Sequence, residues 1–302
     1  SLPDVADFVW NREGSALAFA VSIVPVVKPE ANKEFAKKTE TEVKAVAKPE
    51  LKETSTELAT SAVDKLAKEG VYLWSAASQQ VHTLLSGAGS YKHVRFDEAG
   101  QQLAFVTNRD ALAKKKTASE KSKTKDSSYA AFAVYFWRTG EANANLIVDA
   151  QSQGMPALSA PSEHAELTFS QDGQRLFLST AETPQAEVKN APEPMKVDLW
   201  HWKDPELQSV QKVNAEKDKQ RSYRAVVHVN EMKFVQLAHK NMPQIVVNDN
   251  AQFAMGISSQ PYRHLMSWDS LYYDTYAVNL QNGQAKMLIE KMKPEQIVLL
   301  DK

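Results

Sequence analysis

Apolar and polar residues alternate with a period of two along much of this chain, and the alternation is interrupted by short polar turns at repeated intervals. Ala165–Ala181 (AELTFSQDGQRLFLSTA) shows it best. Leu167 and Phe169 share one face, Asp172-Gly173 reverses the chain, and Leu176 and Leu178 resume the pattern, which predicts a β-hairpin. The same arrangement recurs in Ala6–Ser22 and Lys92–Asn108. In each, an aromatic stands four residues before a glycine (Trp10, Phe96, Phe169) and a leucine three after it (Leu17, Leu103, Leu176). A degraded fourth copy, Gln244–Ser259, has Asp249-Asn250 in the turn and Phe253 in the leucine position.

Each hairpin is followed, after an insertion, by a second two-strand pattern: Val71–Leu85, Val134–Val148, Ala225–Leu237 and Tyr276–Ile289. Two hairpins per repeat make four antiparallel strands. The repeat spacing exceeds the roughly 40 to 50 residues of a compact propeller blade, and the excess falls in polar insertions between the second and third strands. The fold class expected is therefore all-β: a β-propeller of about four blades of four antiparallel strands, part of a larger propeller, with helical and disordered insertions. The blades are expected at about 1–87, 88–160, 161–240 and 241–292, with 293–302, including Glu295–Leu300 (EQIVLL), opening a further blade. Unpaired strand edges in such a part-ring favour pairing with another chain.

The insertions have distinct readings. In the first, Glu57–Lys68 places Leu58, Ala62, Val63 and Leu66 on one helical face. The second, Ala113–Ser128, is rich in Lys, Ser and Thr and reads as a mobile loop; without interleaved aromatics it lacks a base-stacking surface for nucleic acid. The third contains a strand-like Val197–Trp202, after which Asp204-Pro205 provides an N-cap and first-turn proline for a helix carrying Leu207, Val210 and Val213 on one side.

Composition narrows the functional classes. The chain has 302 residues, 43% of them hydrophobic, enough for a sizeable core. Its 36 Lys and Arg against 37 Asp and Glu create no general field for nucleic acid or an anionic membrane. With no cysteine there are no disulfides, thiol nucleophiles or zinc-thiolate sites, and the redox compartment stays open. No apolar run approaches the roughly 20 residues of a membrane helix. The first residues carry no signal-peptide pattern and lead almost at once into a repeat, which suggests a piece of a longer protein.

Two segments concentrate chemistry-bearing residues. Val197–Pro205 (VDLWHWKDP) sets Trp200 and Trp202 on one strand face and His201 on the other, with Asp204 nearby. It reads either as packing between blades or as an aromatic-walled pocket mouth. Pro261–Tyr276 (PYRHLMSWDSLYYDTY) gathers Arg263, His264, Trp268, Asp269 and Tyr272, as binding surfaces and packed blade junctions both do. The seven histidines are scattered without metal-ligand spacing, so no metal is expected, nor any other cofactor. There is no G-x-S-x-G, P-loop or G-x-G-x-x-G, and Gly87-Ala88-Gly89-Ser90 reads as a link between two blades. No catalytic residue is assigned.

The segments FSQDGQRLFLST (Phe169–Thr180), YAVNLQNGQAKMLI (Tyr276–Ile289) and VDLWHWKDPELQSVQK (Val197–Lys212) resemble the N-terminal propeller of prolyl oligopeptidase family serine peptidases, including acylaminoacyl and dipeptidyl peptidases. The resemblance implies a propeller that gates peptide substrates for an α/β-hydrolase domain carrying a Ser-Asp-His triad. That domain would lie C-terminally in the same polypeptide, outside this chain. It also implies a periplasmic or otherwise extracytoplasmic setting. The family's paired-Glu motif for a substrate N-terminus has no match here. The alternative is a non-enzymatic periplasmic propeller that docks proteins.

Overall fold

The computed structural model of the chain describes residues 5–22, 69–121, 129–184, 204, 206–248, 252–266 and 268–294. Four antiparallel sheets follow one another along it. Blade 1 contains β1 (Val5–Trp10), β2 (Ala16–Val21), β3 (Gly70–Ser75) and β4 (Gln80–Ser86). Blade 2 contains β5 (Tyr91–Phe96), β6 (Gln102–Thr107), β7 (Ala133–Arg138) and β8 (Asn145–Val148). In blade 3, a short β9 (Ser159–Pro161) pairs with the far end of β11 (Arg175–Glu182). The main order of that blade is β10 (Thr168–Phe169), β11, β12 (Tyr223–His228), β13 (Lys233–Gln236). Blade 4 contains β14 (Gln244–Val246), β15 (Phe253–Ser258), β16 (Tyr273–Asn279) and β17 (Ala285–Met292). These are successive four-stranded β-propeller blades, as the alternation predicts.

The repeat extends to individual hydrogen bonds. The aromatic and leucine of each hairpin face one another across the ladder: Trp10 with Leu17, Phe96 with Leu103, Phe169 with Leu176. Gly14, Gly100 and Gly173 all have positive φ and donate their N–H to the carbonyl three residues earlier, on Asn11, Asp97 and Ser170. Those three side chains close the turn in turn. Asn11 Oδ1 accepts from the Ala16 amide at 2.9 Å, Asp97 Oδ1 from the Gln101 and Gln102 amides at 2.8 Å, and Ser170 Oγ from the Arg175 amide at 3.0 Å. Different residues thus supply one acceptor at one place. In the fourth copy the turn residues 249–251 lie outside the described set, and Phe253 is exposed where Leu103 and Leu176 are buried.

Three apolar layers join consecutive blades. Ala18, Ala20, Val71 and Leu73 of blade 1 pack with Leu103, Phe105, Tyr135 and Trp137 of blade 2. Ala104, Val106, Val134 and Phe136 meet Leu176, Leu178, Ala225 and Val227 of blade 3. Phe177, Val226, Val235 and Leu237 meet Ala254, Val278 and Leu280 of blade 4. The central strands of blades 2 and 3 therefore bury both faces, with each fully buried large side chain contributing about 1.5–3 kcal/mol.

Antiparallel order places the long connections at one end of the blades. The short hairpin turns touch at the opposite end, where Gly100 approaches Asn11 and Gly173 approaches Asp97 and Gln102. The second-to-third-strand connections, residues 22–69, 108–132, 183–222 and 259–272, all leave from the other face.

Within the second of them, residues 109–121 form helix α1 (Arg109–Lys121), which corrects the loop expected over 113–121; residues 122–128 lie outside the described set. Alanine and lysine are strong helix formers, and the helix start is clamped. The Arg109 guanidinium donates to Asp110 at 2.8 Å, to the Tyr135 hydroxyl at 3.0 Å and to the Ser86 carbonyl at 3.1 Å, and Tyr135 donates to Asp110. The Gly87–Ser90 link runs against this arginine, since a Cβ on Gly89 would sit 3.0 Å from the Arg109 Cα. Its function is close packing between blades 1 and 2.

The expected helix after residue 205 is also present, as α2 (Gln208–Lys219), but its cap differs from the sequence reading. Leu207 occupies the N-cap position without a side-chain hydrogen bond, so Asp204 is not the cap. Leu207, Val210 and Val213 are exposed. The helix is held by local ion pairs, Lys219 with Glu216 at 2.8 Å and Arg221 with Asp218. The expected helix at Glu57–Lys68 and the strands at Val197–Trp202 and Glu295–Leu300 lie outside the described residues.

The blade junctions bury tyrosine hydroxyls, with a consequence at high pH. Burial first, then its hydrogen bond to Asp110, pushes Tyr135 up to about 12, and burial beside Glu163 pushes Tyr129 up to about 12. Burial raises Tyr91 further. The folded state holds these protons above the ordinary tyrosine value, so their contribution is complete below pH 10.0 and is lost as pH climbs from there through about 12. The urea midpoint is expected to fall over that interval, with tyrosinate absorbance lagging the value for free tyrosine. A midpoint that stays level through it would contradict this assignment.

Candidate functional site

On the insertion-bearing face, between blades 3 and 4, lies a cleft of about 1600 Å3. The end of β11 supplies Glu182, the approach to β12 supplies Arg221 and Tyr223, and α2 supplies Asp218 and Lys219. Asp204 and Glu206 come from the long connection of blade 3, Lys240 from the turn into β14, and Arg263 from the 3-10 helix Gln260–Leu265 of blade 4. His164 completes the polar rim.

These charges are organised as pairs. Arg263 bonds Glu206 across the cleft, and the two side chains are 22% and 20% exposed. Lys240 meets Glu182 at 2.6 Å in the open, and that hydrogen bond, then the carboxylate's charge, holds the lysine above its ordinary value. Carboxylates Glu182, Asp204, Glu206 and Asp218 balance cations Lys219, Arg221, Lys240 and Arg263, so the cleft has alternating charge and little net field. Such a surface matches a chain bearing both donors and acceptors better than a polyanion.

The Arg263–Glu206 pair ties the two blades together at the cleft floor. Arg263→Ala leaves a largely desolvated carboxylate without its partner and is expected to cost about 1–3 kcal/mol. Glu206→Gln in the same background is expected to recover part of it. Thermal unfolding of the four members of that double-mutant cycle measures the coupling, and additive effects would show that the pair contributes nothing.

Of the residues singled out from sequence, the structure brings Asp204 and Arg263 into this cleft. Trp200, His201 and Trp202 lie outside the described residues. The others form a braced cap on blade 4. The Trp268 indole N–H donates to the His264 carbonyl at 3.1 Å, and the Tyr272 hydroxyl donates to Asp269 at 3.3 Å. The Tyr272 ring lies edge-on to Tyr262 at 5.9 Å and beneath Lys291 Nζ at 4.8 Å. Tyr262 in turn donates to buried Asp274 at 2.8 Å, and Asp274 also accepts from the Lys291 amide. This cap packs within its own blade while Trp268 stays 72% exposed. Sequence reasoning missed Glu206, Glu182 and Lys240. Their partners are remote along the chain, and no local pattern marks them.

Four sheets of this order, with one decorated end and a charged cleft between two blades, are β-propeller blades. No protein-family model matches the sequence, and no curated protein matches it. Solved structures do resemble it in fold. The β-propeller domain of the Trilobed protease from Pyrococcus furiosus aligns over 95% of this chain and 58% of its own, at 8% identity and a TM-score of 0.41. Porphyromonas gingivalis dipeptidyl peptidase 4 aligns over 96% of this chain and 33% of its own, at 11% identity and a TM-score of 0.41. A puromycin-hydrolyzing peptidase of Mycobacterium tuberculosis aligns over 95% and 29%, at 10% identity and a TM-score of 0.39. The chain spans less than two thirds of each of these. Among the described residues no helix is long and apolar enough to cross a membrane, and no group of His, Asp and Glu has the arrangement of a metal site.

Proposed function

We propose that this chain is the non-catalytic, substrate-gating propeller portion of a serine peptidase of the prolyl oligopeptidase and acylaminoacyl peptidase type, working outside the cytoplasm. Its C-terminal partner in that reading is an α/β-hydrolase domain of the same polypeptide, and the ligand passing between them is a peptide. The observation that carries the reading is the gathering of all long interstrand connections, and of the paired-charge cleft, on one face of blades whose hairpin sequences resemble that family's. Among the described residues the opposite face carries tight turns and offers little to recognise. In the cleft, Asp204 and Arg263 meet peptide amides and carbonyls.

The chain alone is expected to be silent toward an acyl-serine probe and a panel of aminoacyl chromogenic substrates, and to bind unstructured peptides by calorimetry. Asp204→Ala combined with Arg263→Ala is expected to weaken peptide binding about tenfold. Labelling or turnover by the chain would overturn the non-catalytic assignment. Binding of folded proteins with no binding of peptides would replace gating by a docking scaffold.

A further inference from the structure

The cleft between blades 3 and 4 has an apolar edge, and a residue in an unfavourable backbone conformation supplies it. Residues 156–159 form a turn in which the Ser159 amide donates to the Pro156 carbonyl at 3.2 Å. Leu158, third in that turn, has φ +56°. Positive φ at the third position of a turn ordinarily belongs to glycine or asparagine, because a Cβ in the left-handed region crowds the following carbonyl oxygen. A bulky leucine there runs against the local preference.

The other described non-glycine residues with positive φ have local causes. Gln79 and Met232 lie in hairpin turns, and His93 and Lys291 lie at breaks in strand register. Leu158 is in neither kind of place. Its conformation is imposed from both sides. Met155, just before the turn, packs into the layer between blades 2 and 3. The Leu158 carbonyl accepts from the Thr183 amide at 2.8 Å and from the Thr183 hydroxyl at 3.0 Å. Strand β9 begins at the next residue, with Ser159 opposite Glu182 and Ala160 opposite Ala181.

The strain gains little inside the fold, since the Leu158 side chain is 72% exposed and buries little apolar area. It lines the cleft instead, together with Ala157 and Pro184. One residue along the ladder, Glu182 pairs with Lys240 at 2.6 Å. An aliphatic surface therefore stands next to a solvent-open ion pair, and backbone strain of this kind gathers where ligands are held.

Resting on the peptide-binding reading of the cleft, we infer that Leu158 is a specificity-determining residue, and that the peptides it selects carry an apolar residue beside a charged one. The apolar side chain covers Leu158, and the charged neighbour meets Glu182 or Lys240. The leucine is kept in a position suited to glycine because its side chain is what the ligand touches.

Calorimetry with two unstructured peptides tests this, the pair being identical except for a central Leu or Ser flanked by Lys and Glu. The chain is expected to bind the Leu peptide about tenfold more tightly than the Ser peptide. Leu158→Asn and Leu158→Gly are expected to bring the two affinities within about twofold of each other by weakening binding of the Leu peptide. Both variants should unfold at or above the temperature of the unaltered chain, because asparagine and glycine accept the left-handed region and an exposed side chain leaves no cavity. Val213→Asn, at an exposed apolar position of α2 that does not line the cleft, should leave the preference intact. Equal affinity of the unaltered chain for the two peptides would overturn the inference while leaving peptide gating standing. A preference that survives Leu158→Asn, or a lower unfolding temperature in both variants, would likewise overturn it, the latter by showing that the leucine is kept for packing. Binding of neither peptide would overturn the peptide-gating reading and this inference with it.

Discussion

Replacing Phe105 by alanine is expected to lower the unfolding free energy by about 3–5 kcal/mol, the range for deleting a buried aromatic ring from a tight core. The ring is fully buried in the layer between blades 1 and 2 and stacks on Tyr135 at 5.8 Å. The cavity would lie between two sheets that are each hydrogen-bonded within themselves, so neither collapses easily to fill it. Tyr135 also orients the Arg109–Asp110 clamp at the start of α1, and its displacement spreads the damage to that connection. A fall in the urea midpoint at unchanged slope measures the effect. Leu207→Ala on the exposed side of α2 serves as the reference and should stay within about 0.5 kcal/mol. Similar midpoint shifts for the two variants would mean that the blade layers are not the source of stability.

Gly283→Ala is expected to cost about 2–5 kcal/mol from two separable causes. The residue has φ +72° in the β16–β17 turn, a conformation that costs an L-residue roughly 1–2 kcal/mol. Its absent Cβ would also stand 2.6 Å from the Gln236 carbonyl oxygen and 3.1 Å from a Val235 methyl, both in blade 3. Relieving that overlap requires the turn to move off the neighbouring blade, an overpacking penalty of about 1–3 kcal/mol. Gly14→Ala isolates the first cause, because Gly14 has φ +68° and open space around its Cβ position. The difference between the two unfolding temperatures reports the approach of blade 4 to blade 3. Equal shifts would show that the turn is not pressed against its neighbour.

The blades were legible because strand alternation and turn chemistry are local. Trp10, Phe96 and Phe169 each stand opposite the leucine that the spacing pairs them with. Helix α1 was not legible. Its lysines carry both helix propensity and solvating charge, and what decides between them is the long-range clamp of Arg109 on Ser86 and Tyr135. The cap of α2 was misread for a related reason, since a favourable Asp-Pro pair does not fix where the chain turns. The cleft was legible only in part. Asp204 and Arg263 stood out in dense segments, whereas Glu206 acquires meaning only through Arg263, 57 positions further along the chain. The Pro261–Tyr276 segment, open between binding and packing from sequence, is largely self-braced through Tyr262, Asp274 and Lys291.

Because every extended connection departs from the same end of the blades, length can be added there without disturbing the turns that lock each sheet to the next. The entropic penalty for a longer loop rises only with the logarithm of its size, about 0.6 kcal/mol per doubling. The scaffold can accordingly exchange what it presents to the outside by remodelling residues 22–69 or 183–222. The tight-turn end, with the Asn11 side chain against Gly100, the Asp97 and Gln102 side chains against Gly173 and the Gln236 carbonyl against Gly283, has no comparable freedom. Diversification and rigidity are thereby assigned to opposite poles of one molecule.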